Sequence, residues 1–250
     1  MLDKIKNITQ NKAFHVCIII IIISILLFIM GITVLKYNVE GETNMPFKLS
    51  KITVISTCEG VDKEGKNRWN FDINQNNDIY LYINKNKNYQ TQEAIKSIKI
   101  ENVNIEKNNE KGEIKLYRPN ISETGGNFKN SKENLINEIE YIGELESDLK
   151  NLKISNQEGI VAFRCANNKI GEYFSDEEII NHNELLKKAK ISEDILQIKL
   201  SFDLTMLLES GREYKANIIL DLPNSGVVEK GTSSKEITDL KDIIFKRTKN

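Results

Sequence analysis

The side chains able to do covalent chemistry are few and far apart. There are three cysteines, Cys17, Cys58 and Cys165, and two histidines, His15 and His182. Cys17 and His15 lie in one apolar run. Cys58 and Cys165 each end a strand-like segment. A thiol nucleophile needs a base beside it, and His182 is the one histidine outside the apolar run. No H-E-x-x-H and no paired-Cys spacing occurs, so a zinc site would rest on carboxylates alone. Two outcomes are open for Cys58 and Cys165. A disulfide would close a loop of about 108 residues, worth at most about 4–5 kcal/mol. The expectation is instead two unpaired thiols buried as small hydrophobes.

Oxygen ligands are more plentiful. Asp72, Asn74, Asn76 and Asp78 alternate as ligands do in a calcium loop. The sharp turn and closing bidentate acid of such a loop are missing, because Asn77 and Ile83 stand there. Glu138, Glu140, Glu144, Glu146 and Asp148 form an acidic run. Paired acids of this kind serve glycoside hydrolysis, but a solvated face has the same composition. No G-x-S-x-G, S-x-x-K or Gly-rich phosphate loop is present. No cofactor is expected. Tyr80 and Tyr82 alternate with an apolar face and are the candidate platform for a protein or glycan partner.

What must position these residues begins with an anchor. Residues 13–35 read AFHVCIIIIIISILLFIMGITVL, with no charged residue in 23 positions. At about 1.5 Å per residue this spans roughly 34 Å, more than a hydrocarbon core of about 30 Å. In lipid the backbone must satisfy itself, so helix is expected even from six successive isoleucines. The run is too long for a cleaved leader, and no A-x-A site follows it. Lys4, Lys6 and Lys12 precede it against the single acid Asp3. The positive-inside rule then makes 1–12 a cytoplasmic tail and 13–36 a single-pass transmembrane helix in the cell membrane. A stalk over 37–46 and an extracytoplasmic domain over 47–250 follow. Residues 37–250 have 31 basic and 35 acidic residues, and the whole chain is at -1. No nucleic-acid partner is expected from such a balance.

The domain reads as mainly β, a β-sandwich-like ectodomain with one short helix. Period-2 alternation recurs over Lys51–Thr57, Trp69–Ile73 and Ile79–Ile83. Four hairpins are expected, turning at Gln75-Asn76-Asn77, at Asn108–Gly112, at Asn167-Asn168 and at Glu209–Arg212. Ser175-Asp176-Glu177-Glu178 has the form of a capping box and predicts a helix to about Ala189. Residues 133–152 fit helix or strand, with strand favoured. The Gly-rich stretch at 121–131 is where two domains would divide.

Three resemblances bear on these residues. Val54-Ile55-Ser56-Thr57-Cys58, with Arg68 ten residues on, resembles the strand-borne cysteine motif of sortases, but the upstream histidine such an enzyme needs is missing. Lys12-Ala13-Phe14 resembles a prepilin cleavage site. Ile18 stands where pilins carry Glu, and Gly41 and Pro46 end any helix early. Asn74–Asn84 (NQNNDIYLYIN), Lys111–Pro119 (KGEIKLYRP) and Asn151–Asn168 (NLKISNQEGIVAFRCANN) resemble a group of uncharacterised single-anchor membrane proteins of low-GC Gram-positive bacteria. That resemblance implies an envelope location and no activity. The expected function is a membrane-anchored binding module of the cell envelope, partnered by the lipid bilayer and an unknown protein or glycan. The alternatives are a carboxylate-using glycan hydrolase of the envelope and a minor pilin-like subunit of a secretion machine.

Overall fold

A computed structural model of the protein describes residues 12–63, 68–107, 109–120, 128–145 and 151–249. The predicted tail 1–12, save Lys12, lies outside these residues, as does most of the predicted 121–131 boundary. So do Glu146 and Asp148. The chain divides into two compact units, Met1–Thr43 and Asn44–Asn250.

In the first unit, α1 (Lys12–Glu40) is one helix, long and apolar enough to cross a membrane. None of its central window is buried against protein, as a lipid-facing helix requires. Thr33 donates its hydroxyl to the Ile29 carbonyl at 2.8 Å and so satisfies itself within the helix. The helix runs past the expected end at residue 36 and takes in the first part of the predicted stalk. It stops where Gly41 adopts a φ of 70° and donates its N–H to the Tyr37 carbonyl at 2.8 Å.

The second unit is two six-stranded sheets with a small helical cap. Sheet A has the order β11-β1-β2-β8-β4-β5 and sheet B the order β12-β10-β9-β3-β6-β7. In sheet A the strands are β1 (Phe47–Asp62), β2 (Trp69–Lys85), β4 (Glu113–Tyr117), β5 (Leu135–Ile136), β8 (Gly159–Ser175) and β11 (Thr232–Ile237). In sheet B they are β3 (Ile95–Lys107), β6 (Ile139–Gly143), β7 (Leu152–Ile154), β9 (Ile198–Leu208), β10 (Glu213–Leu222) and β12 (Lys246–Lys249). The mainly-β, sandwich-like architecture is therefore the one the alternation predicts.

Sheet A is the longer sheet, with 17 residues in each of β2 and β8. Part of its inner face packs on sheet B. Ile79, Leu81, Ile83, Val161 and Phe163 join Phe202, Leu204 and Ile218 in one core. The remainder is covered by α2 (Leu185–Lys188), α3 (Glu193–Leu196) and α4 (Val227–Lys230). Phe71, Ile73 and Ile170 join Leu185, Leu186, Leu196 and Val227 in a second core. Gly60 of β1 lets the cap approach, since a Cβ there would stand 2.7 Å from Leu185 Cδ1. All members of both cores lie at Met45 or beyond.

Three of the expected hairpins are not found among the described residues. Gln75, Asn76 and Asn77 sit in the middle of β2, and Asn167-Asn168 in the middle of β8. β2 pairs with β1 and β8 along nearly its whole length. Amides between apolar runs imitate a turn, but here Gln75, Asn77 and Asn167 lie on the inner face between the two cores, while Asn76 and Asn168 face outward. Gln75 and Asn77 exchange hydrogen bonds at 2.8 and 2.9 Å, and the Ser56 hydroxyl donates to Asn77 Oδ1 at 2.8 Å. A fully paired amide can be buried at little net cost. The Asn108–Gly112 segment, apart from Asn108 itself, is also no hairpin: β3 lies in sheet B and β4 in sheet A, so it crosses between sheets. The hairpin at Glu209–Arg212 does form, joining β9 to β10 through Gly211 at a φ of 87°.

The predicted helix at Ser175 starts later. Ser175 ends β8, and its hydroxyl accepts the Glu177 N–H at 3.1 Å in a local turn. Helical structure begins with one 3-10 turn at His182–Glu184, capped by the Asn181 side chain. In 133–152 the strand alternative prevails where the residues are described, in β5, β6 and the start of β7.

Candidate functional site

The chemistry-bearing residues of the sequence do not converge. Cys58 on β1 pairs with Gln75, and Cys165 on β8 pairs with Asn77, so β2 runs between them. Two strand spacings are about 10 Å, beyond the roughly 7 Å limit on Cα separation for a disulfide. Both thiols are free, and burial pushes each up to about 12. Thiols so protonated are poor nucleophiles. His182 instead clamps the cap to β1, its Nδ1 accepting the Gly60 N–H at 3.3 Å and its ring set edge-on to Phe71.

The calcium-like spacing belongs to a strand and not to a loop. Asp72, Asn74, Asn76 and Asp78 alternate along β2 over about 20 Å and each has its own partner. Asp72 meets Lys63 at 3.1 Å, Asn74 Oδ1 accepts the Lys169 N–H at 2.9 Å, and Asn76 donates to Glu59 at 3.0 Å. Asp78 holds Arg164 through two bonds of 2.5 and 2.9 Å. Among the described residues no three His, Cys, Asp or Glu side chains converge as metal ligands. In the acidic run, Glu140 sits on β6 and pairs with Lys99 at 3.4 Å.

Tyr80 and Tyr82 do lie on the outer face of sheet A, but neither is a bare platform. Tyr80 is half-buried with Phe128 edge-on against it at 6.2 Å, and burial raises its phenol pKa. The Lys51 ammonium stands 4.4 Å above the Tyr82 ring.

One concave site lies further along the same face. Phe128 and Asn130 lie over the outer face of the sheet and are tied down by Arg164. That guanidinium, held by Asp78, donates to Asn130 Oδ1 at 3.0 Å and packs on Phe128. Asn130 in turn donates to Asn76 Oδ1 at 2.9 Å, and Asn76 donates to Glu59. This chain of directed bonds stiffens the floor of a groove of about 390 Å³, within the size range of small-ligand sites. Register pairs Glu59 with Asn74 across β1 and β2 and Asn168 with Glu113 across β8 and β4, and the bulge of β8 at residues 168–170 lies opposite Asn74. Asp72, Lys115, Tyr117, Lys129 and Lys169 are also among the lining residues.

Its polar groups divide into used and unused. Glu113 pairs with Lys115 at 2.7 Å, and Asn168 Nδ2 donates to the Tyr117 hydroxyl at 3.3 Å. Asn74 is only 7% exposed; its Oδ1 is used, while its Nδ2 has no protein partner among the described residues. The exposed Lys129 and Lys169 ammoniums likewise have none. Glu59 and Glu113 stand three strand spacings apart, about 14 Å, wider than the roughly 5–10 Å of paired glycosidase acids. Asp72 is nearer to Glu59, one diagonal step across the β1–β2 pair, but it is held by Lys63.

No protein family, curated protein or solved structure matches this chain.

Proposed function

We propose that the protein is a membrane-anchored binding module of the cell envelope whose ligand sits in the groove on the outer face of sheet A. In this reading α1 crosses the cell membrane once, with Lys4, Lys6 and Lys12 inside and the β domain outside. The observation that carries it is unspent hydrogen-bonding capacity on a stiff, concave floor, at Asn74, Asn168 and Lys169. Pre-ordered polar groups lose little entropy on binding. The groove's carboxylates are spaced or paired in a way that favours holding a ligand over acid–base catalysis.

Two experiments test the reading. Protease added to intact, wall-stripped cells should degrade the domain and spare residues 1–12; a protected C-terminal epitope contradicts the topology. The domain 44–250, which holds all of both cores, should sediment with isolated cell envelopes. Asn168→Trp, which fills the groove, should abolish sedimentation, and Ile219→Trp on the outer face of sheet B should not. Equal behaviour of both variants, or no sedimentation of the parent, contradicts the assigned site.

A further inference from the structure

The unused groups of the groove differ in kind, and their pattern narrows the ligand. Asn74 Nδ2 is a donor and Asn168 Oδ1 an acceptor, neither with a partner among the described residues. Glu59 accepts Asn76 at one oxygen and leaves the other free. Donors and acceptors interleaved across the groove match hydroxyl groups, each of which gives and takes a hydrogen bond. A peptide would ask instead for a strand edge, and the groove crosses β2 and β8, which are interior strands with both edges paired here. The groove is also elongated, at about 14 Å across four strands. It suits a short chain of rings better than a single small molecule.

Charge adds a second constraint. The acids Asp72 and Glu113 are each met by a lysine, Lys63 and Lys115. Lys129 and Lys169 line the same groove and are met by no acid. They stand on different segments, Lys169 on β8 and Lys129 just after Phe128, so two exposed ammoniums face the groove against the one lining acid, Glu59, that no lysine meets. Lys169 is held in a left-handed conformation, at a φ of 56°. Its N–H is fixed by Asn74, so the strand bulge that places this lysine also orients the Asn74 amide.

We infer that the groove takes a short acidic oligosaccharide, its hydroxyls read by Asn74, Asn168 and Glu59 and its anionic group by Lys129 and Lys169. This rests on the binding-module reading and adds the ligand class. The test uses full-length protein in nanodiscs and three probes: tri-galacturonate, neutral maltotriose and a triglutamate peptide of equal charge. Tri-galacturonate should bind at least about tenfold more tightly than either other probe. Asn74→Asp keeps the acceptor for Lys169, replaces the free donor with an acceptor and adds a negative charge, so its effect is read on maltotriose as well. It should weaken tri-galacturonate about tenfold. Lys129→Gln with Lys169→Gln should bring the acidic and neutral sugars within about twofold of each other. Both lysines are exposed and unpaired, so the melting temperature should not move. Equal binding of triglutamate reduces the site to a charge patch and overturns the inference, as does binding of no sugar. If 44–250 still sediments with envelopes in that case, the ligand class fails and the binding module stands.

Discussion

Sheets A and B obey the same alternation but spend their polar residues differently. On the outer face of sheet B the charges close on one another. Lys215 meets Glu101 at 2.6 Å, Thr205 donates to the same carboxylate at 2.9 Å, and Asp203 accepts from Asn102 and Asn217 at 2.9 Å each. Its inner face is apolar, with Leu200, Phe202, Leu204 and Met206 in register along β9. Sheet A carries polar residues on both faces. Outside, the Arg164–Asp78 pair is nearly buried and pins a covering segment. Inside, Gln75, Asn77 and Ser56 separate two cores. The lesson is that a finished hydrogen-bond network marks a structural face, while an unfinished one on a rigid floor marks a candidate site.

The largest expected effect comes from the pair that organises the outer face of sheet A. Arg164→Ala leaves Asp78 nearly buried without its partner and frees Phe128 and Asn130. The expected loss is about 3 kcal/mol, read from the denaturant midpoint. Lys215→Ala, the corresponding change on sheet B, should cost under about 1 kcal/mol, because its partners stay solvated. Equal costs would erase the contrast between the two faces.

Inside sheet A, Asn77→Leu removes the partner of Gln75 and Ser56 and should cost about 2 kcal/mol. Asn167 is different: it is 1% exposed, and neither its Oδ1 nor its Nδ2 has a hydrogen-bond partner. Asn167→Leu should therefore be close to neutral, since no bond is lost. Thermal melts of the two variants side by side separate a paired amide from an orphan one.

The smallest effect is acid sensitivity of sheet B. A hydrogen bond from Lys215 holds the Glu101 carboxyl below its ordinary 4.5, and one from Thr248 does the same for Glu213. For Asp203 burial acts upward, but hydrogen bonds from Asn217 and Asn102 outweigh it and the net shift is down. Depressed carboxyls contribute stability that is complete above the unfolded values. It is lost as pH falls through the lower folded ones. Stability should thus be flat near neutrality and decline below about pH 4.5. Glu101→Gln together with Glu213→Gln should reduce that decline in melts recorded across the acid range.

Much of this organisation is legible in the sequence, and the misreadings have a common physical origin. The anchor stands out because 23 uncharged residues in a row admit few alternatives. The strands of both sheets show in the period-2 pattern of Ile, Val, Leu and Phe. Sequence pattern alone splits the long strands β2 and β8 at Gln75–Asn77 and Asn167-Asn168, because isolated amides favour turns. Long-range partners, above all Ser56 of β1, make them strand residues, and no local pattern encodes such a partner. The capping box at Ser175 likewise lost to pairing, since Trp69 of β2 extends the ladder to that residue. Tyr80 and Tyr82 lie on the outer face of sheet A, as their alternation implies, but Phe128 covers the first of them. The alternating Asp72, Asn74, Asn76 and Asp78 were the better signal, because polar period 2 describes one face of a strand as well as it describes a ligand loop. Glu113, Lys129 and Lys169 come to the groove through sheet order and chain reversal, which spacing alone does not carry.

Hydrogen exchange read by mass spectrometry, on the domain with and without isolated cell envelopes, tests the central claim most directly. The account predicts new protection over residues 72–76 of β2, 113–117 of β4 and 166–170 of β8, with β9 and β10 unchanged. Protection confined to the outer face of sheet B, or none on sheet A, would contradict it.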